Sequence, residues 1–183
     1  MNLQIRSMTE KDWVDVARIF QWGIDSGIAT FQTDCPSYQT WDRTHLNICR
    51  LVLEDSGKII GWTALSPYSS RVPYAGVAEI SIYLDERFQG RGLGTALLNY
   101  MVHESEKNGI WLLQSGILQH NEASIALHRK CGFREVGFRE KIARDQNGIW
   151  RNTVLMERRS PLPQFNEIPQ EIPSENELVP VPC

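Results

Sequence analysis

Polar and apolar positions alternate over residues 2–8, with Leu3 and Ile5 on one side, and this period of two predicts a short strand. After Thr9, a candidate helix cap, Trp13, Val16, Ala17 and Phe20 recur at helical spacing, Ile24 follows one turn on, and Gly27 is placed to end the helix. A second helix is expected from near Ser37, just after Pro36, through Trp41 to Leu46. Residues 50–54 and 58–65 read as a hairpin turning at Asp55-Ser56-Gly57, and residues 66–75, rich in Pro, Ser and Tyr, as a loop. An alternating, β-branched run over residues 77–84 predicts a strand. A helix over residues 92–106 is expected to carry Leu93, Ala96, Leu97, Tyr100 and Met101 on one face. Residues 110–117 predict another strand, Asn121 starts a helix that Gly132 stops, and residues 133–143 and 149–156 form a last hairpin around Asp145-Gln146-Asn147-Gly148.

The pattern changes at residue 160. Six of the nine prolines fall after it, among several Glu. Proline at this density interrupts helix and sheet ladders, so residues 160–183 are expected to form a flexible or loosely docked tail behind one domain at residues 1–159. A chain of 183 residues suits one domain, and no internal repeat is visible.

Composition narrows the function by exclusion. A formal charge of -3 with no basic stripe disfavours a nucleic-acid partner. Cys35, Cys49, Cys131 and Cys183 are widely spaced, with no Cys-x-x-Cys pair or matching His cluster, so neither a disulfide framework nor a metal site is expected. Unpaired thiols suit a reducing cytoplasm. The first residues carry no apolar run of the signal-peptide kind, and no stretch reaches the ~20 apolar residues of a membrane span.

The most informative stretch is Gln89-Gly90-Arg91-Gly92-Leu93-Gly94-Thr95, between a predicted strand and a predicted helix. Glycines let the backbone turn sharply and come close to a ligand, and the free N–H groups of a helix start attract a phosphate. Alone, such a turn could equally be a helix entry whose glycines serve packing. It lacks the Lys-Ser/Thr ending of a P-loop and falls too late in the chain for a dinucleotide fingerprint.

Its surroundings are more specific. Ala78-Glu79-Ile80-Ser81-Ile82-Tyr83-Leu84 followed by Gln89-x-x-Gly92-x-Gly94 resembles the acetyl-CoA motif of the GNAT superfamily of N-acetyltransferases. Asn121-Glu122-Ala123-Ser124 and Leu127-His128-Arg129-Lys130-Cys131-Gly132-Phe133 resemble that superfamily's second cofactor segment. The order of elements over residues 2–158 is similar too. Gly27-Ile28-Ala29-Thr30-Phe31-Gln32-Thr33, the Leu127-His128 pair and Ile149-Trp150-Arg151 resemble the phosphinothricin acetyltransferase branch, which includes enzymes acting on methionine sulfoximine.

The resemblance implies an α/β (α+β) GNAT fold: a mixed, mostly antiparallel central sheet, one splayed parallel strand pair, and helices on both faces. It implies acetyl-CoA as co-substrate and no metal, with the backbone of Ile82, Tyr83 and Leu84 on the pantetheine arm. The pyrophosphate falls to Gly90, Arg91, Gly92, Leu93, Gly94 and Thr95. Arg91 adds charge there or is a solvated helix-entry residue. Asn121 contacts the arm, caps the next helix, or does both. Glu79 is the candidate base that takes a proton from the incoming ammonium; the alternatives are a salt bridge or an ammonium-binding carboxylate. Strand alternation sets Glu79, Ser81 and Tyr83 on one face and Ile80, Ile82 and Leu84 on the other. His128 stands where many relatives carry a Tyr that protonates the departing thiolate; it is either that acid or a packed helical histidine.

Substrate contacts are expected from Thr30 and Phe31, with Phe31 also a candidate for the core, and from Ser69, Ser70, Arg71, Glu79, Ile80 and Ser81. Relatives often carry Arg where this chain has Ser69 and Ala75, and Arg71 is the candidate replacement charge. The expected reaction is direct acetyl transfer to the primary amine of a small amino-acid-like substrate, by a cytoplasmic homodimer. The alternatives are a polyamine, an amino sugar or a protein N-terminus as acceptor, or a domain that binds acetyl-CoA as a sensor.

Overall fold

The amino-terminal alternation forms β1 (Leu3–Ser7), which pairs antiparallel with β2 (Leu51–Asp55) and sets Ile5 opposite Leu53. Between them lie α1 (Trp13–Asp25) and the short α2 (Tyr38–Thr44), capped by Ser37, whose side chain accepts the Thr40 N–H. The second helix stops two residues short of the expected Leu46, because His45 turns extended and starts the return to the sheet. In the computed structural model, which describes residues 2–165, the remaining elements are β3 (Lys58–Pro67), β4 (Val77–Leu84), α3 (Leu93–Lys107), β5 (Leu112–Leu118), α4 (Glu122–Lys130), β6 (Arg134–Arg144) and β7 (Trp150–Arg159). The β2–β3 turn places Ser56 and Gly57 at φ 52° and 86°, the pair of positive angles that a two-residue hairpin needs.

Among the described residues the strands form one seven-stranded sheet in the order β1-β2-β3-β4-β5-β7-β6. Every neighbouring pair is antiparallel except β4–β5. That parallel pair is joined only at Val77–Leu112, Ala78–Leu113 and Glu79–Gln114. Beyond these rungs β4 stays paired with β3 as far as Leu84, and β5 with β7 as far as Leu118, so the two strands diverge into a gap. The expected mixed sheet with a splayed parallel pair is therefore what forms.

Helices cover both faces. Leu97, Leu98 and Met101 of α3 pack on Ile60, Leu65, Ile80, Leu113, Ile117 and Met156. On the other face Val16, Ile19, Phe20 and Ile24 of α1 and Trp41 of α2 pack on Val52, Ile59, Trp62 and Ala64. Each fully buried aliphatic side chain contributes about 1.5–3 kcal/mol to holding a helix to the sheet.

The buried stripe of α3 differs from the expected one. It runs through Leu93, Gly94, Leu97, Leu98, Met101, Val102 and Ser105, whereas Ala96 and Tyr100 face solvent. Gly94 is the cause: a Cβ there would meet Leu84 at 3.2 Å and Leu127 at 3.3 Å, so the helix rests on its own backbone at this point and turns the residues one and two turns later inward.

The loop after β3 is shorter than expected, since β3 continues to Pro67 and a single 3-10 turn occupies Val72–Tyr74. The first part of the expected tail is docked. The N–H of Ser160, itself buried, bonds the Trp111 carbonyl at 2.8 Å, and the Phe165 ring lies 6.4 Å from the Trp111 ring. Residues 166–183 of that tail lie outside the described residues.

Candidate active site

The gap between β4 and β5 opens into a cleft of about 820 Å³. Its walls are the end of β4 from Glu79 to Leu84, the end of β5 from Ser115 to Leu118, the Gly90–Thr95 turn, one side of α4, and residues 28–32 after α1. Backbone parity decides which groups face it. The Asp85 N–H bonds the Ile60 carbonyl at 2.8 Å, so alternate residues back along β4, Tyr83 included, direct their N–H toward β3. Those of Ile80, Ile82 and Leu84 then point toward β5, which has moved away beyond Gln114. Ile82 and Leu84 thus offer unpaired backbone groups to the cleft, while Tyr83, expected to do the same, offers only its side chain.

At the mouth of the gap Gly90 and Gly92 hold φ of 72° and 77°, a left-handed conformation costly for other residues. Nothing lies within 4 Å of a Cβ built on either, so conformation and an open cradle require glycine there, and packing does not. Gly92 caps α3 without a side-chain hydrogen bond, leaving the first N–H groups of the helix directed outward. Leu93 contributes only backbone, because its side chain belongs to the core. The Arg91 side chain does not line the cleft and stacks over Phe88, 5.3 Å from the ring centroid. The turn is braced from behind. Asp85, 3% exposed, accepts from Arg87 and Arg18, and the Arg87 hydrogen bond above all holds its carboxyl well below the usual range. The Trp22 Nε1–H of α1 donates to Glu86 at 2.7 Å.

The opposite wall is the irregular segment after α1. The Tyr83 hydroxyl behind this wall is pushed up to about 12 by burial, and the Thr30 Oγ1 accepts the Gln32 N–H at 3.1 Å. The Asn121 Nδ2 donates to the Ile28 carbonyl at 3.0 Å, while its Oδ1 accepts the Ser124 N–H and caps α4. The expected capping role of Asn121 is present in the geometry. Thr30 and Phe31 both line the cleft, and Phe31 is a half-buried wall residue outside both core clusters.

Glu79 lines the cleft where the splay begins, with an exposed carboxylate that makes no hydrogen bond or ion pair among the described residues. Ile80 and Ser81 line it too, although Ile80 is 4% exposed and mainly core. His128 is 1% exposed, and its Nδ1 lies 2.8 Å from the Ser124 carbonyl. A carbonyl only accepts, so the proton sits on Nδ1 and Nε2 is bare, buried and without a partner among the described residues. Burial lowers its pKa further. As placed, the ring lacks the Nε2 proton that the expected donor role needs.

Ser69, Ser70 and Arg71 do not join this site. They line a separate hollow of about 270 Å³ with Pro67, Tyr74 and Val77, and Arg71 stacks over Tyr74 at 5.5 Å. The longer β3 and the 3-10 turn carry this loop past the start of β4, away from the end where the strands part. The β5 wall was missed from sequence: once a parallel pair is expected to splay, the partner strand must line the gap, and Ser115, Gly116 and Ile117 do so. Cys131 is buried, and burial pushes its thiol up, against any nucleophilic use. Trp150 and Arg151 lie outside the cleft, beside Arg144 and Asp145 respectively.

The model of the Acetyltransferase (GNAT) family matches residues 16–133. The chain is 28% identical over 162 residues to the phosphinothricin N-acetyltransferase of Alcaligenes faecalis, covering 84% of this chain and 81% of the relative. It is 24% identical over 163 residues to the L-methionine sulfoximine/L-methionine sulfone acetyltransferase of Pseudomonas aeruginosa, covering 86% and 94%. The crystal structure of a GNAT superfamily phosphinothricin acetyltransferase from Sinorhizobium meliloti in complex with AcCoA superposes with a TM-score of 0.79 at 27% identity, over 96% of this chain and 95% of that one.

Proposed function

The chain belongs to the GNAT acetyltransferase family, and on that premise we propose that it acetylates the primary amine of a small amino-acid-like substrate of the phosphinothricin or methionine sulfoximine type, by direct attack in a ternary complex. That it is an acetyl-CoA-dependent N-acetyltransferase follows from the family. The observation that carries the finer reading is the splay of β4 from β5, with its Gly-rich turn at one end and Glu79 at the other.

The chain's own groups fit the co-substrate. Gly90 and Gly92 leave a cradle open for a pyrophosphate, the first N–H groups of α3 face it, and the unpaired backbone of Ile82 and Leu84 matches the amides of a pantetheine arm. When bound, acetyl-CoA supplies the activated thioester. Glu79 then accepts a proton from the substrate ammonium, directly or through water, since only the neutral amine is a nucleophile. The N–H of Ile82 or Leu84 donates to the carbonyl oxygen as charge develops on it. Solvent is the better proton source for the departing thiolate, because the His128 Nε2 carries no proton.

A second reading has one observation in its favour. Arg71 lies outside the cleft, whose charged lining is Glu79 and Lys130. This favours an amine without a second anionic group, such as a polyamine. The reading also takes residues 1–159 as the catalytic domain of a cytoplasmic homodimer. The free thiols Cys35, Cys49 and Cys131 support a reducing compartment, and the half-exposed Phe138, Ile142 and Trp150 of β6 and β7 support a subunit contact.

The test is CoA release from acetyl-CoA against L-phosphinothricin, L-methionine sulfoximine, methionine sulfone, spermidine and an aminoglycoside. Turnover of the amino-acid analogues alone is expected. Turnover of spermidine alone moves the assignment to the second reading.

A further inference from the structure

Residues 27–36 form neither helix nor strand, yet residues 28–32 among them line one side of the cleft. A segment of this kind holds a shape only where something ties it down. At its start the Ser26 Oγ donates to the Gly23 carbonyl at 2.6 Å and accepts the Ile28 N–H at 3.3 Å. Within the loop, the Thr30 Oγ1 accepts the Gln32 N–H at 3.1 Å. Across the gap the ties come from the β5–α4 corner, more than ninety residues away in sequence: Asn121 Nδ2 to the Ile28 carbonyl at 3.0 Å, and a longer approach of His120 Nε2 to the Gly27 carbonyl at 3.5 Å.

Asn121 joins two structures with one side chain. Its Oδ1 accepts the Ser124 N–H at 3.1 Å and fixes the first turn of α4. Its Nδ2 holds the chain at the point where it enters residues 28–32. Its planar amide has no freedom to satisfy one partner and ignore the other, so the orientation of α4 and the position of the loop are set together.

We infer that Asn121 is a positioning residue for the amine side of the cleft, locking residues 28–32 to the α4 side, where the co-substrate lies under the reading above. The Nδ2 donor is the operative group, and the cap is separable from it. Asparagine is therefore required where Ser, Thr or Asp would serve for capping alone.

The separation defines the experiment. Asn121→Asp keeps an oxygen for the Ser124 N–H and sets a second oxygen against the Ile28 carbonyl. Asn121→Ser keeps a capping oxygen on a side chain too short to reach Ile28, and serves if the Asp variant folds poorly. Amide hydrogen exchange over residues 28–32, measured with acetyl-CoA bound and no amine present, is expected to quicken by about five- to tenfold in either variant, the loss of roughly one hydrogen bond. The acetyl-CoA Kd by calorimetry reads separately any direct contact of Asn121 with the co-substrate. With an accepted amine, KM is expected to rise more than kcat falls. Unchanged exchange overturns the inference. So does a Kd weakened about tenfold with exchange unchanged, which makes Asn121 a direct co-substrate contact. The exchange measurement needs no amine, so failure of the amine panel leaves it readable.

Discussion

The Tyr83 ring lies so close to Gly23 of α1 that a Cβ built there would stand 2.7 Å from Tyr83 Cε1. The ring cannot easily retreat, because it stacks on Trp62 at 4.8 Å and meets Phe20 at 5.0 Å. Gly23 is therefore what lets α1 press onto the strand that lines the cleft. In an open helix, Gly→Ala stabilises by about 1 kcal/mol. Here the sign reverses: Gly23→Ala is expected to destabilise by about 1–3 kcal/mol through overpacking. Urea unfolding measures it, and a variant more stable than the parent would show that the ring yields.

Glu79→Gln is expected to lower kcat by about 10²-fold or more and to flatten the acidic limb of its pH profile. The circular dichroism spectrum should not change, because the carboxylate is exposed and unpaired among the described residues. Steady-state kinetics from acid to neutral pH decide the matter, and parental turnover with a parental pH profile would remove Glu79 from proton transfer.

Gly92→Ala probes the cradle. The left-handed backbone at φ 77° costs Ala about 1–2 kcal/mol, with no relief from packing and no clash to add. The added methyl projects into the open space in front of the α3 amino terminus. Acetyl-CoA affinity is expected to fall by about tenfold, more than the small loss of melting temperature accounts for. Calorimetric titration beside a thermal melt separates the two effects.

His128 makes stability depend on pH. Burial lowers its pKa below 6.5, so on acidification the unfolded chain takes up the proton first. The neutral ring's contribution is complete above pH 6.5 and is lost as pH falls from there toward the folded value. His128→Gln removes this dependence. The stability gap between parent and variant should narrow between about pH 7.5 and about pH 5.5, read by urea unfolding at each pH. A constant gap would mean that the histidine is not buried neutral.

Acetyl-CoA at about 100 times its Kd should stabilise the protein by about 2.7 kcal/mol. The residue pattern is the sharper test. Exchange at the Ile82 and Leu84 amides should slow on binding, whereas the Tyr83 amide, directed toward β3, should already be slow. Equal protection at all three would contradict the parity of β4.

Much of this was legible in the sequence, for local reasons. Alternation over residues 77–84 marks β4 because a half-buried strand needs that period, and Gly90 and Gly92 mark the turn because few other residues hold a positive φ. What was not legible depends on contacts between distant segments. The burial of Leu98 and Val102 in place of Ala96 and Tyr100 follows from Gly94 resting on Leu84 and Leu127. The separation of Arg71 from the cleft follows from where β3 ends, and a serine- and proline-rich stretch does not mark that point. The bare Nε2 of His128 is set by one carbonyl a turn earlier in its own helix.

The three rungs between β4 and β5 have a mechanical meaning as well. On one side of them lie four strands, on the other three, and along most of the boundary no backbone hydrogen bond crosses from one set to the other. The sheet is two leaves on a short spine, held elsewhere by side chains packed beneath α3. Separation of the leaves along that boundary breaks the fewest backbone hydrogen bonds. A molecule with alternating amides laid in the gap stitches the leaves together, so the same strand divergence that makes room for a co-substrate leaves the sheet's continuity to be completed by what it binds.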